Sequence, residues 1–133
     1  MNNASLRNLG LLIFRLGIAY IMIAFHGLKK VQLLFSGEEI KFFDPIGIGE
    51  VPSLVLAAFA EFICSILIAL GLWTRQAAAV LLITMLVAVF QYHADDPWVK
   101  KELPSLFLFG YLMLVFVGGG RFSLGALFGK RYR

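Results

Sequence analysis

Apolar residues along this chain gather into four runs, about Leu9 to Phe25, Val51 to Trp73, Ala77 to Tyr92 and Leu103 to Val117. A helix that spans the hydrocarbon core of a bilayer needs about 20 residues, and polar flanks make up the difference for the shorter runs. With their flanks the runs predict spans over about 9–26, 51–73, 76–93 and 103–118, followed by a short basic amphipathic tail over 121–133. Between the runs stand residues that break helices. Gly27 is positioned to end the first helix, Asp44-Pro45 makes a turn, and Gly71 to Arg75 is a tight turn between the second and third helices. Pro52 and Pro104 are expected in the first turns of the second and fourth helices, where a missing N–H costs nothing.

The first run is read as a retained helix rather than a cleaved signal peptide. Arg15 interrupts it, and no small-x-small cleavage site follows. Both halves of the chain read aromatic-His, loop, x-Pro-Ser-Leu: Phe25-His26 then V-P-S-L at 51–54, and Tyr92-His93 then L-P-S-L at 103–106. A duplicated helical hairpin is one explanation and coincidence the other. The expected fold is an all-α membrane protein with four antiparallel transmembrane helices in a bundle, forming one domain over 1–133.

Composition agrees, with 60% hydrophobic and only 15% charged residues and a mean hydropathy of +0.86. A water-soluble domain of this size would expose too much apolar surface, so the lipid bilayer is the expected surroundings. The net charge of +4 does not indicate nucleic acid, because the basic residues are scattered between apolar runs. Near a membrane they set topology and hold anionic head groups. With four spans, Arg7, Arg75, Arg121, Lys130, Arg131 and Arg133 share one side, and Lys29, Lys30, Lys41, Lys100 and Lys101 the other. All the acids but Glu61 fall on the lysine side. This asymmetry predicts a multi-pass membrane protein with both termini cytoplasmic.

Two full charges lie deep within the runs. A charge at mid-bilayer costs about 2.5–3.5 kcal/mol on insertion scales, and counting residues places Arg15 and Glu61 at similar depth. They are therefore expected to face each other, either as an ion pair that fixes helix register or as a protonatable site for a polar ligand such as a quinone carbonyl. Arg15 and His26, eleven residues apart, should share a face with Met22 between them. Glu61, Cys64, Ser65 and Ile68 form a stripe on the second helix. Cys64, the sole cysteine, is read as a packing residue.

His26 and His93 are candidate proton carriers, the alternative being a bland interfacial role. Haem or copper is disfavoured because two histidines without a spacing motif are a weak ligand set, and no metal site is expected. Tyr92, Trp73 and Trp98 read as an interfacial belt. Asp95-Asp96 and Lys100-Lys101 read as a solvated loop face. No phosphate loop, nucleophile elbow or metalloprotease helix is present.

F-H-G-L-K-K (25–30), A-E-F (60–62), L-G-L-W-T-R-Q-A-A-A (70–79), T-M-L-V-A (84–88) with Tyr92-His93, and G-R-F-S-L (120–124) resemble the DoxX family. The resemblance runs from about Leu11 to Leu127. Its best markers are HG-x-x-K, the second-helix Glu followed by G-L-x-T-R, and G-R-F-S-L. It implies a small four-helix bacterial inner-membrane protein, in a family associated with membrane redox and oxidative-stress complexes. Carried over by position, the motif residues are His26, Lys29, Glu61, Thr74, Arg75, His93, Arg121 and Ser123. Gly125 stands where the family often has an acid, which puts in doubt any role needing a carboxylate there.

Three functions remain in view. The first is a membrane subunit of a redox complex, with a quinone held by Arg15, Glu61, His26, Lys29, Tyr92 and His93; Glu61, His26 and His93 are its catalytic candidates. The second is a scaffold that contacts soluble redox proteins through Arg75, Arg121, Ser123 and the basic tail. The third is a proton-linked permease centred on Glu61. Gly and Ala on several helix faces permit close packing within one subunit or in a homo-oligomer.

Overall fold

A computed structural model describes residues 1–129; the basic part of the expected tail, Lys130, Arg131 and Arg133, lies outside the described residues. Helices are its regular elements, with no strand among the described residues. α1 spans Asn3–Leu34, α2 Glu50–Leu70 and α3 Thr74–Tyr92. α4 spans Trp98–Val117, and the short α5 spans Leu124–Leu127. Among the described residues α1, α2 and α3 are long and apolar enough to cross a membrane, whereas α4 holds Lys100, Lys101 and Glu102 near its start.

Each end has a local cause. The Asn2 side chain accepts the Ser5 N–H at 2.8 Å and caps α1. α2 stops at Gly71, whose left-handed backbone (φ 74) lets its own N–H reach the Ile68 carbonyl while the Leu72 N–H reaches Leu67. That is the glycine-terminated C-cap expected of such a sequence. Trp73 also adopts positive φ, at 44°, uncommon for a bulky residue, and α3 begins immediately afterwards in the helix-favouring run T-R-Q-A-A-A.

Two boundaries differ from the sequence expectation. α1 does not end at Gly27 but runs two further turns, to Leu34, because Gly27 keeps helical dihedrals (φ −63, ψ −43). α4 starts at Trp98 after the extended Pro97, so Pro104 lies beyond its first turn. Lys100 and Lys101 are helical rather than part of a loop. Lys101 Nζ sits 5.6 Å over the Trp98 ring and donates to the Ala94 carbonyl at 3.1 Å. The two halves therefore differ where the repeat would match them: α1 continues past His26, while α3 stops at Tyr92.

The interior combines small side chains, including Ala19, Ala60, Ala77 and Ala78, with a few large ones such as Met22, Phe107 and Tyr111. Large apolar residues such as Phe90, Leu106, Phe109 and Phe116 point outward and are more than 60% exposed. Apolar exterior and close-packed small residues within are what lipid demands, since helices in hydrocarbon associate through packing rather than water exclusion.

Candidate functional site

Three helices contain a π-helical turn: Ile23–Gly27 in α1, Phe59–Cys64 in α2 and Ala88–Tyr92 in α3. In α1 the Leu28 N–H donates to the Ile23 carbonyl, and after α3 the His93 N–H donates to Ala88 at 2.9 Å. Each bond spans five residues instead of four, which breaks the 3.6-residue count and re-aims the side chains that follow. Such turns recur at functional sites. Here one holds His26, one holds Glu61, and one ends beside His93.

The first two turns touch. A Cβ added to Gly27 would fall 2.6 Å from the Glu61 carbonyl oxygen, so only glycine lets α1 lie this close to α2. Lys30, one turn further along α1, then reaches Glu61, with Nζ 2.6 Å from Oε2. The Glu61 side chain is 7% exposed and that of Lys30 23%; the long lysine stem lets an ammonium meet a carboxylate near the middle of α2. Behind the carboxylate lie Cys64 and Ser65, both buried. The Tyr111 hydroxyl from α4 neighbours Glu61 and Cys64 and is placed to pair with the Ser65 hydroxyl, and beyond each other these two buried groups have no hydrogen-bond partner among the described residues. Phe107 links this cluster to the rim, stacking on Tyr111 (centroids 5.9 Å) and meeting His26 edge-on at 5.9 Å.

The expected Arg15–Glu61 pair is not formed. Arg15 is 1% exposed, but its Nη1 donates to the Ile68 and Ala69 carbonyls at 3.0 and 3.1 Å. Its Nη2 donates to the Phe122 carbonyl. The sequence count was displaced by seven to eight residues of α2, roughly 10–12 Å at 1.5 Å per residue. The physical reason is that α1 extends beyond Gly27, so Lys30 rather than Arg15 comes level with Glu61. Arg15 instead meets the terminal carbonyls of α2, which lie beyond the regular four-residue ladder and carry the negative end of the helix dipole; the Ile68 carbonyl accepts from both Arg15 and the Gly71 N–H.

The other expected site residues separate. His93 Nδ1 lies 2.7 Å from Asp96 Oδ2, and its ring packs on Tyr92, whereas the His26 ring packs on Phe107. The hydrogen bond from His93, helped by Lys100, holds the Asp96 carboxyl below the usual range. Lys29 is exposed and Lys30 takes its expected place. Among the described residues no three His, Cys, Asp or Glu side chains gather as a metal site would need. Lys30 and Tyr111 are the site residues that sequence reasoning missed. The i, i+4 step from His26 to Lys30 and a phenol inside the fourth run were the available signals.

Above the site, the loop before α2 is pinned by Asp44. Its Oδ1 accepts from the Gly47 and Ile48 N–H groups and the Ser53 hydroxyl, and its Oδ2 from the Gly49 N–H at 2.7 Å. Phe43 beside it meets the Tyr92 ring at 5.4 Å.

At the opposite end, the G-L-W-T-R and G-R-F-S-L segments lock onto Arg15. The Gly125 N–H donates to the Gly71 carbonyl at 3.0 Å, and Ser123 Oγ donates to Gly120 and accepts from the Ala126 N–H, capping α5. The Arg121 N–H donates to Asn8 Oδ1 at 2.9 Å. The family model described as DoxX matches residues 10–94, a stretch holding the Gly27–Lys30–Glu61 contact, Arg15 and the turn at Gly71. The chain belongs to the DoxX family. It is also 34% identical over 124 residues to an uncharacterized protein of Haemophilus influenzae, covering 88% of this chain and 89% of that one. No solved structure matches. With its apolar exterior, this DoxX chain is a membrane protein.

Proposed function

We propose that this DoxX protein is a four-helix antiparallel bundle of the bacterial inner membrane, with both termini cytoplasmic. It serves there as the membrane subunit of a redox complex that engages a quinone. The observation that carries the reading is the Lys30–Glu61 pair held near the middle of α2, beside the buried hydroxyls of Ser65 and Tyr111, which have no partner but each other among the described residues. Ion pairs and sparsely bonded hydroxyls within a membrane helix are expensive, and they mark functional sites by default. A quinone head group is flat, so it suits the aromatic surface of Phe107 and His26, and its carbonyls accept from lysine, tyrosine and serine. Reducing it takes two electrons, supplied by the partner protein, and two protons, for which Glu61 and His26 form the path to the rim.

The test is extraction of small molecules from detergent-purified protein, with quinone measured by mass spectrometry. Wild type should carry quinone near one per chain, and Glu61→Gln, folded by circular dichroism, should retain about tenfold less. Folded wild-type protein free of quinone, after purification from quinone-replete membranes, would refute the reading.

A further inference from the structure

The end of the molecule where Arg15 meets the G-R-F-S-L segment holds a feature that the quinone reading does not use. A cavity of about 550 Å³ opens there, lined by Arg75, the glycines 118 to 120, Arg121 and Ser123. That size lies within the range of small-molecule sites, about 300–1,000 Å³. No acid lines it, and neither arginine forms an ion pair among the described residues. Arg75 is held in place by donating from Nη2 to the Phe116 carbonyl at 3.3 Å, which leaves its other donors uncommitted. The Arg121 backbone is tied to Asn8, so its guanidinium projects from an anchored position.

The loop adds donors without charge. The Gly118 N–H closes α4 by donating to Leu114, but the Gly119 and Gly120 N–H groups donate to nothing among the described residues. Gly118 and Gly120 both have φ of 76°, which restricts these positions to glycine and keeps the loop bare of side chains. Next to Gly119, the Thr74 hydroxyl is buried and also without a partner. Two guanidinium groups, two free backbone N–H groups and no carboxylate are the ingredients of an anion site.

We propose that this cavity binds a phosphate group, carried either by an anionic phospholipid head or by a small soluble phosphate compound. Arg75 and Arg121 supply the charge, and the glycine loop allows close approach of the oxygens. This site stands apart from the quinone reading, and either can fail without the other.

The experiment uses full-length protein in a neutral detergent, titrated with short-chain phosphatidylglycerol, short-chain phosphatidylcholine and inorganic phosphate, with binding read by ³¹P NMR line broadening. The probes are compared on wild type, Arg121→Gln and Lys41→Gln, the last removing an equal charge from the loop before α2. Among the described residues the Arg121 side chain makes no hydrogen bond or ion pair, so R121Q should stay folded. Affinity should fall about tenfold in R121Q, equivalent to about 1.4 kcal/mol, and stay unchanged in K41Q. Preference for phosphatidylglycerol over phosphatidylcholine, without competition from inorganic phosphate, assigns a lipid head group. Saturable binding of inorganic phosphate assigns a soluble ligand. Absence of binding by either anionic probe, or equal losses in R121Q and K41Q, would overturn the proposal.

Discussion

Replacing Lys30 by methionine tests the central contact directly. At 2.6 Å the attraction between the two charges is about 6 kcal/mol for an effective dielectric near 20. Most of that offsets the removal of both ions from water, so the pair contributes little net stability. Deleting one partner is different, because the other charge stays behind. Breaking a fully buried pair costs about 3–5 kcal/mol, whereas an exposed pair contributes about 0–1 kcal/mol. Glu61 is buried but the Lys30 side chain is 23% exposed, so Lys30→Met should destabilise by about 2–3 kcal/mol, between those limits. The double variant Lys30→Met/Glu61→Gln removes the orphaned charge and should recover at least half of the loss. Unfolding in mixed micelles at increasing SDS, followed by the fluorescence of Trp73 and Trp98, measures both. A Lys30→Met protein as stable as wild type would refute the reasoning, as would a double variant no better than the sum of its single changes.

Two further outcomes follow from the ends of the helices. Arg15→Lys keeps the charge but cannot serve the Ile68, Ala69 and Phe122 carbonyls together; it should lose about 1–3 kcal/mol in the same assay, most of the effect of Arg15→Met. Asp44 bears on pH: its hydrogen bond from the Gly49 N–H, aided by those from Ser53, Ile48 and Gly47, pulls its carboxyl below the ordinary value. A lowered folded pKa means that the stabilising effect is complete above the unfolded value of about 3.9 and is lost as pH falls through the lower folded value. Amide hydrogen exchange at residues 44–53 should therefore stay protected at pH 5 and rise in strong acid, relative to the intrinsic rate. Asp44→Asn should remove that acid transition.

Several elements were legible one residue at a time. The apolar runs, the glycine-ended turn at Gly71 and the Asp44 turn are local in origin, and local chemistry predicts them. The stripe of Glu61, Cys64, Ser65 and Ile68 is buried, as its spacing on one helix implied. The partner of Glu61 was not legible, because depth was counted from a helix end placed at Gly27. A glycine reads as a stop, yet here it is the contact point of two helices, and its reason for being glycine sits on α2. The π turns are similarly invisible to a 3.6-residue count, and they decide which way His26 and Glu61 face.

By itself, then, the sequence determined that this chain belongs in a bilayer, where its four main helices lie, apart from the end of the first and the start of the fourth, and that Arg15 and Glu61 are carried inward. The tertiary structure alone decided which polar groups meet. Helix formation depends on hydrogen bonds four or five residues apart, so neighbouring residues specify it. Register between helices depends on contacts such as Gly27 on Glu61 and Arg15 on Ile68, between residues far apart in the chain, and no short window of sequence contains both partners.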